Sequence, residues 1–393
     1  MSVIKLGEFG ADFTADPYPY YAKLRETGPV HEVETPDGIP AWLVVGYDEA
    51  RAALADQRLS KSFDDFGLLR PQDEVMGPHL LSTDPPDHAR LRKLVAGEFT
   101  ARRVEALRPR VQELTDELLD AMAPAGRGDL IDSLAFPLPI TVICELLGVP
   151  AADRDTFRAW SNELVAPTGT PSDMEAAALA FRDYLDELIE DKRCSGPGDD
   201  LLSALIAGRA EDGDRLSLSE LRALAYLLLI AGHETTVNLI GNTVRALLTH
   251  PAQLAALRAD FGLIDAAVEE GLRYDGPVEN ATFRFTREPL TLGGAEIPAG
   301  AIVLVALASG ARDPGRFPEP DRFDIRREPR GHLAFGHGIH FCLGAPLARL
   351  EGKTAIESLL RRFPRLEIDP EAGSWEWLPG MLIRGTRHLP VVW

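Results

Sequence analysis

The ten residues Phe335-Gly336-His337-Gly338-Ile339-His340-Phe341-Cys342-Leu343-Gly344 hold one thiol in a glycine-rich loop, and the helix-forming run Ala345-Pro346-Leu347-Ala348-Arg349-Leu350-Glu351 follows at once. Cys342 therefore stands at the mouth of a helix, where the dipole and the free N–H groups of Leu343 and Gly344 favour a thiolate. Gly336, Gly338 and Gly344 remove side chains where a flat ligand would lie against backbone. Beside the apolar Phe335 and Phe341, such a thiolate suits axial ligation of a haem iron, so Cys342 is the candidate metal ligand. Two plainer accounts compete. A lone cysteine is ordinarily a small buried hydrophobe, though seldom one set among glycines and a histidine. Zinc is the other, because His332, His337, His340 and Cys342 are ligand types within a short span. Their spacing fits no common zinc finger, and alternating glycines favour a flat partner over a point ion.

A second run lies inside a helix. The longest periodic segment extends from about Ser219 to Thr249, capped by Ser217 or Ser219 and stopped by Pro251. Its apolar stretch Ala223–Ala231 is too short to cross a bilayer and predicts a buried core helix. Gly232, His233, Glu234, Thr235 and Thr236 then interrupt it. Burying a carboxylate and two hydroxyls is costly without partners, and a threonine can bond the carbonyl four residues back. The spacing predicts a functional kink there. His233-Glu234 would open a zinc-binding helix only if residue 237 were histidine, and it is valine.

Two charge pairs complete the set. Glu270 and Arg273 share a helix face at i and i+3, which alone is a surface pair of about 0.5 kcal/mol. His88 and Arg92 are four apart on a helix opened by Asp84 as N-cap and Pro85 at the first helical position. That spacing puts them on one face, suited to the two propionates of a haem once these are buried.

The elements that must hold these residues are mostly helical: Tyr18–Thr27, Asp48–Ala55, Ala101–Met122, Pro139–Leu147, Asp153–Leu164, Asp173–Arg193, Leu201–Ala207 and a last helix over about Ala345–Phe363. Strand signals are short, at Ala41–Val45 and between Ala281 and Val305, where Gly293-Gly294 and Pro298-Ala299-Gly300 break them. Phe63–Ser82 is weakly periodic, and an irregular stretch of that length inside a compact domain is usually functional.

These runs together resemble the cytochrome P450 monooxygenases, over essentially the whole chain from Asp16-Pro17-Tyr18 to Leu389-Pro390-Val391. The resemblance is nearest to soluble bacterial members that oxidise polyketides, especially macrolide hydroxylases of the pikromycin hydroxylase type. It implies a mainly α fold with a small β region, the cytochrome P450 fold, as a single haem-thiolate domain over residues 1–393. It implies haem b, iron protoporphyrin IX, with Cys342 on the iron and Phe335, Gly336, Gly344 and Ala231 among the cofactor-binding residues. The family pattern places His88 and Arg92 on the propionates, joined by Arg284 and His340. Ala231-Gly232-His233-Glu234-Thr235-Thr236 is similar to the family's oxygen-activating segment. There Thr235 would steady the reduced dioxygen and Glu234 would help deliver protons through water, which makes these two the catalytic candidates. Arg322, within Phe317-Pro318-Glu319-Pro320-Asp321-Arg322-Phe323, matches the third member of a structural triad with Glu270 and Arg273.

The implied reaction inserts one oxygen atom from O2 into a C–H bond of a bulky hydrophobic natural product, a macrolide or other polyketide, by hydroxylation or epoxidation. Phe63–Ser82 and Val165–Ser172 suit a roomy entrance. Asp73 and Glu74 are candidates for holding a cationic amino sugar, with Val278 and Met381 as further substrate positions. Alternatives are a steroid, terpenoid or fatty acid substrate, oxidative coupling of a carrier-bound substrate, and a non-catalytic haem-binding homologue. The Glu234–Thr235 pair counts against the last two.

Composition narrows the class. A 393-residue chain that is 45% hydrophobic and 26% charged buries an ordinary core. A net charge of −20 argues against nucleic-acid binding and anionic membranes. Three cysteines make no disulfide framework and cannot supply four thiolates to an iron–sulfur cluster. Met1–Gly10 carries no long apolar run, so with so few cysteines a cytoplasmic protein without a membrane anchor is expected; a monomer is expected as well. With no flavin domain in sight, electrons would come from a separate ferredoxin and ferredoxin reductase. Lys93, Arg102, Arg103, Arg108, Arg110 and Lys353 are basic clusters suited to an acidic ferredoxin or simply to solvated helix faces.

Overall fold

The computed structural model describes residues 3–62, 75–150, 153–165, 170–196, 198–208, 214–328 and 330–393. Its described residues are mostly helical, with strands in a six-stranded, a three-stranded and a two-stranded sheet. The chain divides into two compact units, one of Met1–Ser60, Gln112–Ala135 and Thr235–Trp393, the other of Lys61–Val111 and Phe136–Glu234.

In the first unit the main sheet runs, in spatial order, Ile4–Lys5, Val30–Glu34, Pro40–Val44, Ile302–Val305, Arg284–Thr286 and Leu59–Ser60. Alternation along a strand sends successive side chains to opposite faces. Val44, Val303 and Val305 accordingly enter one apolar cluster with Leu54 and Phe317, while Leu43, Val45 and Leu304 enter another with Leu6 and Tyr21. A sheet covered on both faces gives Arg284 a buried, rigid mounting opposite Val303.

A polar hub ties this unit together. Asp275 accepts from the Tyr18 hydroxyl at 2.7 Å and from Arg384 Nε at 2.6 Å, and it also pairs with Arg245. Burial pushes its carboxyl up, but Arg384 and Arg245 outweigh that and hold it at about 2.

The helices stand near their sequence-derived positions, with instructive departures. Tyr18–Thr27 and Leu201–Ala207 coincide with expectation. The run expected as one helix over Ala101–Met122 is two, Ala101–Ala106 and Arg108–Met122, because Pro109 cannot sit in a helix interior and starts a new one. Asp84 does not cap a helix. The helix begins later, at Asp87–Ala96, since Pro86 biases Pro85 away from the α conformation. The Asp84 carboxylate instead accepts from the Lys61 backbone N–H at 3.1 Å. At Leu218–Thr249 the cap is Ser217: its hydroxyl accepts from Glu220 N at 3.2 Å and its own N–H donates to Glu220 at 2.8 Å.

That helix continues through Gly232–Thr236, so the expected kink is not a break in the helix. By length and composition it could cross a membrane, yet most of its apolar window is buried in the protein. This places it as a core helix, although the apolar stretch is longer than the run read from sequence.

The helix Ala345–Arg362 carries an unusual burden, Glu351, which is 1% exposed. Its Oε2 has no hydrogen-bond partner among the described residues, and burial pushes the carboxyl up to about 8. A carboxyl raised from 4.5 is protonated in the folded state and ionised in the unfolded one between those pH values, so its contribution to stability falls as pH rises through that window. Glu351→Gln should therefore gain on the wild type by up to about 1.4 kcal/mol per pH unit between roughly pH 5 and 8, as measured by urea unfolding across that range.

Candidate active site

Cys342 is an exposed thiol just before the helix Ala345–Arg362, and its backbone N–H donates to the Phe335 carbonyl at 2.9 Å. The loop between them turns through Gly336 and Gly338 at φ of +73° and +75°, a region that side chains disfavour. Gly338 serves packing rather than a ligand surface, because a Cβ there would stand 2.8 Å from the Leu54 carbonyl oxygen. Gly344 fits the first expectation better: the nearest atom to a Cβ there would be Cys342 Sγ at 3.9 Å. Phe341 and Ile339 are 41% and 40% exposed, an apolar setting for the thiol.

Among the described residues, no group of three or more metal-ligating atoms includes Cys342. His332 is engaged elsewhere, with Nε2 3.1 Å from Glu269. One thiolate in apolar surroundings does not make a zinc site, which needs four donors. It does fit a metal whose remaining ligands come from a macrocycle, so the residues present suit a haem.

The Glu270–Arg273 pair is wholly buried and bidentate at 2.7 and 2.8 Å. Arg273 also donates to the carbonyls of Ala311, Pro320 and Arg322 at 3.1, 2.8 and 3.1 Å. Arg322 joins only through that carbonyl. Its side chain is 57% exposed and reaches Glu319 and Asp324. The expected third side chain is a correction: Arg327, 13% exposed, stands 3.4 Å from Glu270 and donates to the Pro318 and Glu319 carbonyls at 2.5 and 2.9 Å. Sequence offers arginines at 322, 326 and 327, and only the path of the backbone decides which points inward.

On the helix Leu218–Thr249, Leu227, Leu228, Ala231, Glu234 and Thr235 are exposed or half-buried at the spacing of one face. Ala225, Tyr226, Leu229, His233 and Thr236, on the other sides, are buried. The two catalytic candidates thus share an open stripe. His233 turns inward, Nδ1 2.6 Å from the Leu229 carbonyl and its ring edge-on to Phe136. Burial lowers its pKa despite the nearby Glu234, which favours the neutral imidazole. Gly232 permits close packing, since a Cβ would lie 2.9 Å from Ile143.

His88 is buried on the helix Asp87–Ala96, one turn from the half-buried Arg92. Burial, then the charge of Arg92, lowers its pKa and favours the neutral imidazole. Arg284 is buried in the main sheet and His340 half-buried in the cysteine loop.

The chain matches the family description Cytochrome P450 over residues 159–262 and 255–386. This chain belongs to the cytochrome P450 family. It is a haem-thiolate oxidoreductase, and its cytochrome P450 fold is shared with solved members. The chain is 57% identical to Cytochrome P450 monooxygenase PikC of Streptomyces venezuelae, covering 100% of this chain and 94% of that protein. It is 48% identical to 6-deoxyerythronolide B hydroxylase of Saccharopolyspora erythraea, covering 96% of each. The tirandamycin C-bound structure of the P450 monooxygenase TamI superposes with a TM-score of 0.90 at 44% identity, covering 99% of each chain.

P450 monooxygenases need a redox partner and a hydrophobic substrate, and the candidates for both are unevenly placed. Val278 bridges Ile383, and the Met381 carbonyl accepts from Asn280 at 2.9 Å, so these two substrate positions sit on adjoining segments. Asp73, Glu74 and much of Phe63–Ser82 and Val165–Ser172 lie outside the described residues. Of the basic residues, Arg103 pairs with Glu98, Arg108 with Glu105, Arg110 with Glu145 and Lys353 with Asp265, which favours solvated helix faces at those four positions.

The corrected triad can be checked directly. Arg327→Ala should lower unfolding stability by about 2 kcal/mol, because it strips a charge partner from a buried carboxylate. Arg322→Ala should stay within about 0.5 kcal/mol. Urea denaturation of both variants measures the contrast.

Proposed function

We propose that this P450 hydroxylates or epoxidises a macrolide or related bulky polyketide as a monomeric, cytoplasmic haem b monooxygenase. The whole chain, 1–393, acts as one haem-thiolate domain, with electrons from NAD(P)H supplied through a ferredoxin reductase and a ferredoxin. The observation that carries the chemistry is the lone Cys342 thiol at the start of Ala345–Arg362. The substrate class is supported by relatives named for 6-deoxyerythronolide B and for tirandamycin C.

Cys342 would give a bound haem its thiolate ligand, and Phe335, Gly336, Gly344 and Ala231 would be among the residues that hold it. Arg92 and Arg284 would neutralise its propionates, and His88 and His340 would donate N–H groups to them. Haem, when bound, supplies the reductive cleavage of dioxygen that puts one oxygen atom into an unactivated C–H bond. The chain supplies the protons for that cleavage. Glu234 is a titratable group on an otherwise apolar stripe, and the Thr235 hydroxyl beside it can both accept and donate a proton in a relay. Val278 and Met381 contribute to the substrate cavity, and Asp73 and Glu74 hold a cationic amino sugar.

Thr235→Ala should keep haem and substrate binding but divert reducing equivalents to hydrogen peroxide, lowering product per NAD(P)H by about tenfold or more. An unchanged ratio would remove Thr235 from the relay. Titrating a panel of macrolides, steroids and fatty acids against the haem spectrum tests the substrate. A macrolide or similar polyketide should shift the spectrum towards high spin, and replacing Asp73 and Glu74 with alanine should weaken only amine-bearing ligands. Tight binding of fatty acids with no response to any macrolide would overturn the polyketide assignment.

A further inference from the structure

Glu269 stands beside the Glu270 of the buried pair but faces different partners. It accepts from Arg349 twice, Nε at 2.5 Å and Nη2 at 3.0 Å, the fork geometry of a bidentate guanidinium–carboxylate pair. It also faces His332 Nε2 at 3.1 Å. The tautomer follows from the other nitrogen: Ala334 N–H points at His332 Nδ1 at 3.3 Å, so Nδ1 accepts and Nε2 carries the proton given to Glu269.

The two partners flank the cysteine loop. His332 lies three residues before Phe335, and Arg349 lies seven residues after Cys342, within the helix Ala345–Arg362. The Arg349 guanidinium stacks 4.4 Å from the centre of the Phe335 ring, and the Phe335 carbonyl receives the Cys342 N–H. One carboxylate therefore ties the entry of the loop to its exit, with Phe335 held between. Burial raises the Glu269 carboxyl, yet the bonds from His332 and Arg349 more than offset this and hold it at about 2, so the tie stays charged across the neutral range.

We infer that Glu269 is a positioning residue for the thiolate: it closes the ends of the cysteine loop on each other and so fixes the direction in which Cys342 presents its sulfur. This rests on the reading of Cys342 as the iron ligand. Without Glu269, Arg349 loses its orienting partner, Phe335 loses its cover, and the peptide that holds Cys342 is free to tilt. The Fe–S bond should then be lost more readily, although the fold persists through the buried Glu270–Arg273 pair.

An internal comparison separates this from simple stapling of two helices. Asp265 and Lys353 form a 2.7 Å ion pair between the same helices, Ile264–Tyr274 and Ala345–Arg362, on the exposed side. The experiment follows, on haem-loaded protein, the time course by which the red-shifted carbon monoxide band of the reduced enzyme decays to the short-wavelength form that marks loss of thiolate at a fixed elevated temperature. Glu269→Ala should decay about tenfold faster or more, as expected for losing a charge-assisted bond. Glu269→Gln, which keeps shape without charge, should fall between, and Asp265→Ala should match the wild type. Wild-type decay in Glu269→Ala, or equal acceleration in Asp265→Ala, overturns the inference. If Glu269→Ala does not accumulate as folded holoprotein by circular dichroism, Glu269→Gln and Arg349→Lys are read the same way, and wild-type decay in both overturns it. If the wild type shows no red-shifted band, or Cys342→Ala retains one, the ligand assignment fails instead.

Discussion

A guanidinium sealed from water must find a partner for each of its N–H groups or destabilise the fold by several kcal/mol. Arg273 finds them in the Glu270 carboxylate and in the carbonyls of Ala311, Pro320 and Arg322. Ala311 ends the short helix Leu307–Ala311, while Pro320 and Arg322 belong to an irregular stretch that no sheet or helix satisfies, which runs on towards the cysteine loop. Arg327 does the same for Pro318 and Glu319, Arg316 for Arg330, and the Tyr47 hydroxyl for Gly331. The approach to Cys342 is thus held by side chains, most of them arginines, in place of the backbone ladder found elsewhere. The glycines and the helix start can then present a thiol in one geometry.

Much of this was legible in the sequence because the determinants were local. Glycines at positive φ around one cysteine, a run of helix formers behind it and a polar interruption in an apolar helix each declare themselves within ten residues. The helix Leu218–Thr249, its serine cap and the short strands between Arg284 and Val305 followed from periodicity and turn chemistry.

What escaped was set by distance or by competition. Asp84 has the chemistry of an N-cap, but Pro86 delays the helix and the Lys61 N–H takes the carboxylate. Arg322 and Arg327 are indistinguishable by type, and the fold sends one outward and the other to Glu270. Nothing local marks Glu269, because its partners lie 63 and 80 residues away. The aspartate hub is similar: Asp275 joins Tyr18 and Arg384, whose meeting no short window encodes.

The open stripe on the helix Leu218–Thr249 bears on how such an enzyme diversifies. Three sides of that helix are committed to packing, where a changed volume is felt throughout the core. Leu227 and Leu228 are outside that commitment, half-buried on the open stripe. Mutations there can be sampled by drift with less penalty to stability than on the packed sides, about two turns before the acid and threonine. Selection for new products can therefore act on cavity shape while the proton relay and the scaffold are inherited intact.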